Sequence, residues 1–361
     1  MNPAFLPAGD RRTGEKVVAS WIAEFASREG LDVDLQPVTP ERMNVIAHLM
    51  PPGPVERRIL LAPHMDTIGE PNLDAQLTPH WRDGKVFGRG ACDTKGCVAA
   101  MLGALAKIAR SGTRPATTEI VFLGLIDEEY AQLGSRHYAR NGEPGDLAIV
   151  GEPTKLEVIS AHKGDQWLQL RTTGKAAHGA TPNLGVSAVR KMAQVVEALE
   201  GPYRAWIAER SHPLLGSPTI NVGSISGGRQ PNVVPADCVI SIDRRTLPGE
   251  TEVGVKREIR EFLKERGLTV EFDNLRSDPC EALETDPSLP LVQALCTAAR
   301  KKATRGVHYF CDASPLAAGG TPSVVFGPGD IAQAHTSLEW ISVAQLEKAV
   351  EILETFLRGQ P

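Results

Sequence analysis

The 361-residue sequence has few cysteines, no long apolar run and little net charge. Its six cysteines are dispersed and form no C-x-x-C pair, which argues against a disulfide scaffold and a thiolate zinc site. The longest strongly apolar run, residues 120–126, is far shorter than the ~18 residues that a membrane span needs. The N-terminal residues lack the layout of a signal peptide. We therefore expect a cytoplasmic protein with reduced thiols.

The charge balance excludes a further class of protein. The sequence has 39 Lys and Arg against 44 Asp and Glu, a formal net charge of −5. A nucleic-acid binder needs a basic surface to offset phosphate charge, so the composition argues against nucleic acid as a partner. Hydrophobic residues make up 42% of the chain, which is ordinary for a globular protein with a large core. At ~150 residues per domain, the length suggests about two domains.

The order of the predicted elements indicates one domain inserted into another. Helical spacing in residues 15–28 and 95–111 alternates with strand-like runs, among them the nearly all-apolar residues 118–126. Such alternation predicts an α/β fold, with three layers around a mostly parallel sheet. From about residue 160 the pattern changes to α+β. We predict a catalytic domain of residues 1–159 and 282–361, with a smaller α+β domain inserted at residues 160–281.

Histidine and acidic side chains that could bind a metal or transfer a proton occur where predicted strands end or helices begin. In open α/β sheets, ligands bind beyond the carboxyl ends of the strands. The two histidines and the acidic residues at these positions are candidates for one shared site. They are His64, Asp66, Asp93, Asp127, Glu128, Glu129, Glu152 and His335.

Taken singly, these positions have simpler explanations. Asp93 stands where a helix N-cap is favoured, and the acids at 127–129 suit a solvated helix start. His64 alone reads as a loop histidine beside a turn aspartate. Taken together, imidazole and carboxylate ligands without thiolates suit zinc, cobalt or manganese. Five such ligands that share one carboxylate can hold two ions ~3.5–4 Å apart.

These segments, in this order along almost the whole chain, resemble the dinuclear-zinc aminoacylase and carboxypeptidase family. That family includes acetylornithine deacetylase, succinyl-diaminopimelate desuccinylase and glutamate carboxypeptidase. The run GEPTKLEVISAHKG at residues 151–164 is most similar to the acetylornithine deacetylase branch. The resemblance implies two divalent metal ions, zinc first, with cobalt or manganese as alternatives. The ligands that it implies are His64 and Glu152 for one ion, Glu129 and His335 for the other, and Asp93 for both.

The resemblance also implies roles around the metals. Asp66 would orient His64, and Glu128 would be the general base toward the metal-activated water. A cis peptide bond is expected between Asp93 and Thr94, a rare feature for a residue that does not precede proline.

Three residues of the inserted domain complete the expected site. The run KAAHGATP at residues 175–182 is similar to the family segment whose histidine reaches into the partner subunit's site, and this resemblance makes His178 a candidate oxyanion donor there. Asn232, together with Arg245 in the run DRRTLPGE, would bind the substrate carboxylate. Arginine suits that role because its planar fork pairs bidentately with a carboxylate. Each residue also has a simpler interpretation. His178 could be a surface-loop histidine, Asn232 a turn asparagine, and Arg245 part of a salt bridge at the sheet edge.

The expected function is metal-dependent hydrolysis of the amide bond of N-acyl amino acids, in the manner of acetylornithine deacetylase. A di- or tripeptidase or a carboxypeptidase of the same family is the nearest alternative. A non-catalytic binding protein on the same scaffold is a third, which metal content would distinguish. The expected partners are a small substrate and a second copy of the chain, bound through the inserted domain, with no membrane partner. A serine hydrolase is the least favoured alternative, because the sequence has no G-x-S-x-G elbow.

Overall fold

The chain folds into two compact units in a computed structural model that describes residues 1–7, 10–69, 74–275 and 278–361. The first unit comprises Met1–Ser160, Thr285–Gly306 and Cys311–Pro361. The second comprises Ala161–Glu284 and Val307–Phe310. The first unit is therefore built from segments on both sides of the second in the sequence.

Helices and strands alternate through most of the described chain. Its α-helices are α1 (Lys16–Arg28), α2 (Lys95–Arg110), α3 (Leu133–Asn141), α4 (Ala188–Ala198), α5 (Arg204–Ile207), α6 (Glu252–Lys264), α7 (Pro290–Ala298), α8 (Ala313–Ala318) and α9 (Val343–Arg358). Its strands are β1 (Asp32–Pro37), β2 (Met43–Leu49), β3 (Arg57–Pro63), β4 (His80–Arg82), β5 (Lys85–Phe87), β6 (Thr118–Gly124), β7 (Leu147–Gly151), β8 (Ile159–His162), β9 (Gly164–Thr173), β10 (Thr219–Gly227), β11 (Asp237–Thr246), β12 (Glu271–Asn274), β13 (Leu283–Glu284), β14 (Arg305–Val307), β15 (Ser323–Val325) and β16 (Trp340–Ser342).

The first unit is organised around a mixed sheet with the strand order β1-β2-β6-β3-β7-β15. Its four central strands, β6, β3, β7 and β15, run parallel to one another. Strands β1 and β2 pair antiparallel at one side, and β15 pairs antiparallel with the start of β8 at the other. The parallel centre brings the carboxyl ends of β3, β6 and β7 to the same edge.

Both faces of this sheet are covered. Every residue of β6 is buried, and successive residues point to opposite faces. Ile120 and Phe122 join a core that includes residues of α1, α2, α7 and α9. Val121 and Leu123, on the other face, are fully buried, and α8 packs against β7 and β15. The layers are helix, sheet and helix, which confirms the predicted α/β class.

The second unit contains a four-stranded antiparallel sheet with the order β10-β11-β9-β12. Burial alternates along β11, so one face of the sheet is apolar and packs against α4 and α6. Strand β10 lies at the edge of this sheet, and its residues 223–227 are exposed. In the described parts of the chain, no helix has both the length and the apolarity needed to cross a bilayer.

Candidate metal centre

The first unit brings the predicted ligands together at the carboxyl edge of its sheet. His64 directly follows β3, and Glu152 directly follows β7. Glu128 and Glu129 lie in the turn after β6, and Asp93 lies just before α2. His335 arrives on a loop that ends at β16. His64, Glu152 and the two glutamates after β6 are placed by the ends of buried strands, where ligand sites of open sheets form. Loops bring Asp93 and His335 to the same place.

Asp93 lies between the two histidines. Its Oδ1 is 3.0 Å from Nε2 of His64, and its Oδ2 is 3.3 Å from Nε2 of His335. Nε2 of His335 is also 3.0 Å from Oε2 of Glu129, and Nε2 of His64 is 3.7 Å from Oε1 of Glu152. The two oxygens of Asp93 thus face different imidazoles, the arrangement that a bridging carboxylate requires.

Two overlapping groups of three residues each bring their potential ligand atoms within 4.8 Å of one another. One contains His64, Asp93 and Glu129, and the other contains His64, Glu128 and Glu152. All five side chains are buried, whereas His335 is about half exposed. The presence of Glu128 in the second group shows that its carboxylate lies close to the ligand positions.

The site concentrates negative charge in a buried place. Burial, reinforced by the charge of Glu152, raises the pKa of Glu128 well above its ordinary value. Burial likewise raises the pKa of Glu152. Hydrogen bonds to Asp93 and then to Glu129 raise the pKa of His335 to about 10. Burial thus favours the neutral form of the two glutamates, while the carboxylates around His335 favour its charged form.

The donor set fits divalent cations. Among the described residues, Oε1 of Glu152 is buried and has no hydrogen-bond partner. A buried carboxylate oxygen without a partner carries a large desolvation cost unless a cation neutralises it. Two imidazoles with carboxylate oxygens are the ligand types that zinc, cobalt and manganese accept.

Asp66 connects His64 to the turn that carries the two glutamates. Its Oδ1 lies 3.4 Å from Nδ1 of His64, while its backbone carbonyl lies closer to that nitrogen, at 3.1 Å. The Asp66 carboxylate also accepts the backbone N–H groups of Glu128 at 3.1 Å and Glu129 at 3.2 Å. The buried carboxylate of Asp66 therefore contacts the His64 imidazole and the backbone of both Glu128 and Glu129.

Asn2 and Arg42 support the segments of Asp66 and Asp127, and the sequence analysis did not identify either residue. The side-chain amide of Asn2 donates to Oδ2 of Asp66 at 2.8 Å and to Oδ1 of Asp127 at 2.9 Å. Arg42 donates to Asp127 at 2.9 Å and to Glu15 at 2.9 Å. Asp127 has a φ of 68°, in the left-handed region, so these contacts hold the turn where its backbone is strained. No local pattern signals such partners, because they are far apart in the sequence.

The peptide bond between Asp93 and Thr94 is cis, as the resemblance implied. The Thr94 hydroxyl donates to the backbone carbonyl of Gly151 at 3.0 Å. This contact joins the loop of Asp93 to the end of β7, one residue before Glu152.

In the second unit, His178 and Asn232 lie in paired segments. Val233 forms an isolated bridge with His178, and the N–H of Gly179 donates to the carbonyl of Asn232 at 2.7 Å. His178 is exposed, and its Nδ1 accepts the N–H of Ala180 at 3.1 Å. The oxyanion role of His178 and the carboxylate-binding role of Asn232 stay predictions.

The two arginines of β11 differ in their surroundings. Arg244 is fully buried and pairs with Glu250 at 2.9 Å. Arg245 is 27% exposed at its side chain, and its Nε and Nη2 donate to the carboxylate of Asp243 at 2.9 and 3.0 Å. Of the two, Arg245 has the more exposed side chain, and its carboxylate-binding role stays a prediction. Binding substrate would compete with its bond to Asp243.

A helix–sheet–helix unit with two histidines and several buried carboxylates at one sheet edge is the architecture of a metal-dependent amidohydrolase. The model of peptidase family M20/M25/M40 matches residues 60–359. The chain belongs to this family, and the resemblance found in the sequence is confirmed.

Individual relatives agree with this membership. The acetylornithine deacetylase of Vibrio cholerae serotype O1 is 31% identical over 350 residues, which cover 94% of this chain and 90% of the relative. A tripeptidase from Staphylococcus aureus has a similar fold, with a TM-score of 0.78 at 20% identity over 96% of this chain and 92% of its own. An M20 family metallo-carboxypeptidase from Sulfolobus solfataricus has a TM-score of 0.76 at 18% identity, over 96% and 94% of the two chains.

Proposed function

We propose that the protein hydrolyses the amide bond of N-acyl amino acids with two divalent metal ions. The observation that supports this most is the likeness to acetylornithine deacetylase, which extends over 94% of the chain. The second support is the buried cluster in which Asp93 contacts both His64 and His335. Neither observation specifies the acyl group.

The chain offers ligands for a pair of ions. His64 and Glu152 would hold one ion, Glu129 and His335 the other, and Asp93 both. Zinc is the proposed metal, with cobalt or manganese as alternatives. When bound, the pair would polarise the scissile carbonyl and lower the pKa of the attacking water.

Glu128 is the proposed general base. Its carboxylate lies within 4.8 Å of ligand atoms of His64 and Glu152, and burial raises its pKa well above the ordinary value. A carboxylate in such surroundings can accept the proton of the attacking water at Oε and pass it to the leaving amine. Asp66 would keep His64 oriented and hold the backbone of Glu128 in place through its 3.1 Å hydrogen bond.

The second unit would supply the groups that recognise the substrate. The guanidinium of Arg245, with the amide of Asn232, would bind the carboxylate of the amino acid. The imidazole of His178 would donate to the oxyanion in the partner subunit's site. This last role requires a homodimer. The exposed edge of β10 supports one, because an edge strand has free N–H and C=O groups with which a second copy can pair.

A substrate panel tests the proposal. Purified protein with added Zn²⁺ or Co²⁺ is assayed on N-acetyl amino acids, N-succinyl amino acids and dipeptides, and its metal content is measured in parallel. We expect about two ions per chain and the highest kcat/KM on an N-acyl amino acid. Faster cleavage of dipeptides would assign the protein to the peptidases. Two bound ions without turnover of any of these amides would contradict the proposal.

A further inference from the structure

One buried carboxylate, that of Glu339, holds the loop that carries Asp93. Its Oε1 accepts the backbone N–H groups of Cys92 at 2.8 Å and Asp93 at 3.0 Å. Its Oε2 accepts the N–H of Gly90 at 3.0 Å and Nη1 of Arg89 at 2.8 Å. Glu339 is only 2% exposed, and both oxygens are occupied by donors. It is therefore not available as a further metal ligand.

Glu339 also belongs to the segment that carries His335, four residues earlier. Further bonds fasten this segment to the Asp93 loop. Nη2 of Arg89 donates to the carbonyl of Thr336 at 3.2 Å, and the N–H of Gly88 donates to the carbonyl of Glu339 at 3.1 Å. The two segments approach each other at Asp93 and His335, whose Oδ2 and Nε2 atoms are 3.3 Å apart.

We propose that Glu339 is a positioning residue that fixes the spacing between Asp93 and His335, and so sets the affinity of the ion that they share. This inference rests on the two-metal site of the proposed function. The physical basis is that the Glu339 carboxylate, with its four donors, fixes the backbone of residues 90–93. The backbone carbonyl of Glu339 accepts the N–H of Gly88 and so fixes the segment that carries His335. Partners behind metal ligands typically change metal affinity 10- to 100-fold when replaced.

Glu339→Gln is the direct test, because all four groups around the carboxylate are donors. The amide that replaces it has one acceptor oxygen and one NH₂ group, so in either orientation one pair of N–H donors loses its acceptor. Metal-free protein is titrated with Zn²⁺ in a calorimeter. We expect a wild type with two binding events and a variant in which one event is 10- to 100-fold weaker. We also expect faster amide exchange over residues 88–94 in the metal-free variant.

Glu119→Gln is the matched control. Glu119 is equally buried, at 2% exposure, and its carboxylate contacts Nδ1 of His48 at 2.7 Å and Nε of Arg58 at 2.6 Å. It lies near the start of β6, whereas the metal centre lies beyond the end of that strand. The control variant should lose stability but bind both Zn²⁺ ions with wild-type affinity.

The outcomes separate this inference from the proposed function. Two wild-type Zn²⁺ affinities in the folded Glu339→Gln protein would overturn the positioning role and leave the proposed function standing. A wild type that binds two ions but cleaves no amide would overturn the proposed function and leave the positioning role standing. A wild type that binds no ion would overturn both the proposed function and the positioning role. If Glu339→Gln does not fold, Arg89→Lys decides, because a single ammonium cannot replace the fork that joins Glu339 to Thr336. Weaker binding of one ion supports the role, and wild-type binding of both overturns it.

Discussion

Replacing Asn2 by alanine should destabilise the first unit substantially, although the residue lies next to the start of the chain. Its amide is fully buried and donates to two carboxylates, those of Asp66 and Asp127. A hydrogen bond to a charged group contributes about 1.5–3 kcal/mol. Both acids keep other donors after the substitution, so the lower figure applies to each bond. The two losses together give about 3 kcal/mol.

Urea unfolding measures this change. With a denaturant slope of about 3 kcal/mol/M, the expected loss lowers the midpoint by about 1 M. Asn141→Ala is the control, because the exposed Asn141 makes one described hydrogen bond, to the carbonyl of His137 at 3.0 Å. A surface substitution of this kind should change stability by no more than about 0.5 kcal/mol.

Asn2→Asp sharpens the test. The substitution keeps the shape of the side chain but places a third carboxylate against Asp66 and Asp127. Because like charges repel in a buried place, this variant should be less stable than Asn2→Ala. The reasoning is refuted if Asn2→Ala unfolds at the wild-type midpoint, or if Asn2→Asp is the more stable of the two.

Three further predictions concern catalysis, pH and assembly. Glu128→Gln should bind as many metal ions as wild type yet lose ~10²–10⁴-fold in kcat, and near-full turnover would remove Glu128 as the base. The pKa of His48 is raised chiefly by its hydrogen bond with Glu119. The pair of His48 and Glu119 therefore stabilises the fold fully below ~pH 6.5, the pKa of an unfolded histidine, and this stabilisation is lost as pH rises through the raised pKa of His48. His48→Gln should therefore lower the urea midpoint more at pH 6 than at pH 9, and equal losses would contradict this. The proposed dimer predicts that wild type sediments as a dimer and Ile225→Pro, in the exposed edge of β10, as a monomer, whereas a dimeric variant would exclude pairing through that edge.

The candidate ligands could be proposed from the sequence because several local signals, each weak to moderate alone, occur together. A buried strand is recognisable from its apolar run, and a charged residue directly after it is unusual enough to notice. Glu152 after β7 and His64 after β3 are of this kind. The parallel centre of the sheet then brings the ends of these strands to one edge, so the fold class predicts that the side chains meet.

The supporting residues could not be predicted in the same way. Asn2 contacts residues 64 and 125 positions away, and nothing in its neighbours marks it as buried. The antiparallel outer strands were also not foreseen, because a short strand such as β1, which has no buried residue, carries no sign of its direction. Such features depend on tertiary contacts, which composition and periodicity do not encode locally.

The hydrogen bonds of the buried acids divide them into two kinds. Asp66 and Glu339 accept N–H groups at both oxygens, so the protein itself compensates their charge. Glu152 keeps a buried oxygen without a partner among the described residues, which leaves that oxygen to a cation. Asp312 also has such an oxygen, and burial raises the pKa of both acids, that of Asp312 to about 7, so either can hold a proton where no cation is bound. The backbone N–H groups bound by Asp66 and Glu339 therefore suit these two acids to positioning, whereas the unpaired oxygens of Glu152 and Asp312 are open to a cation or a proton.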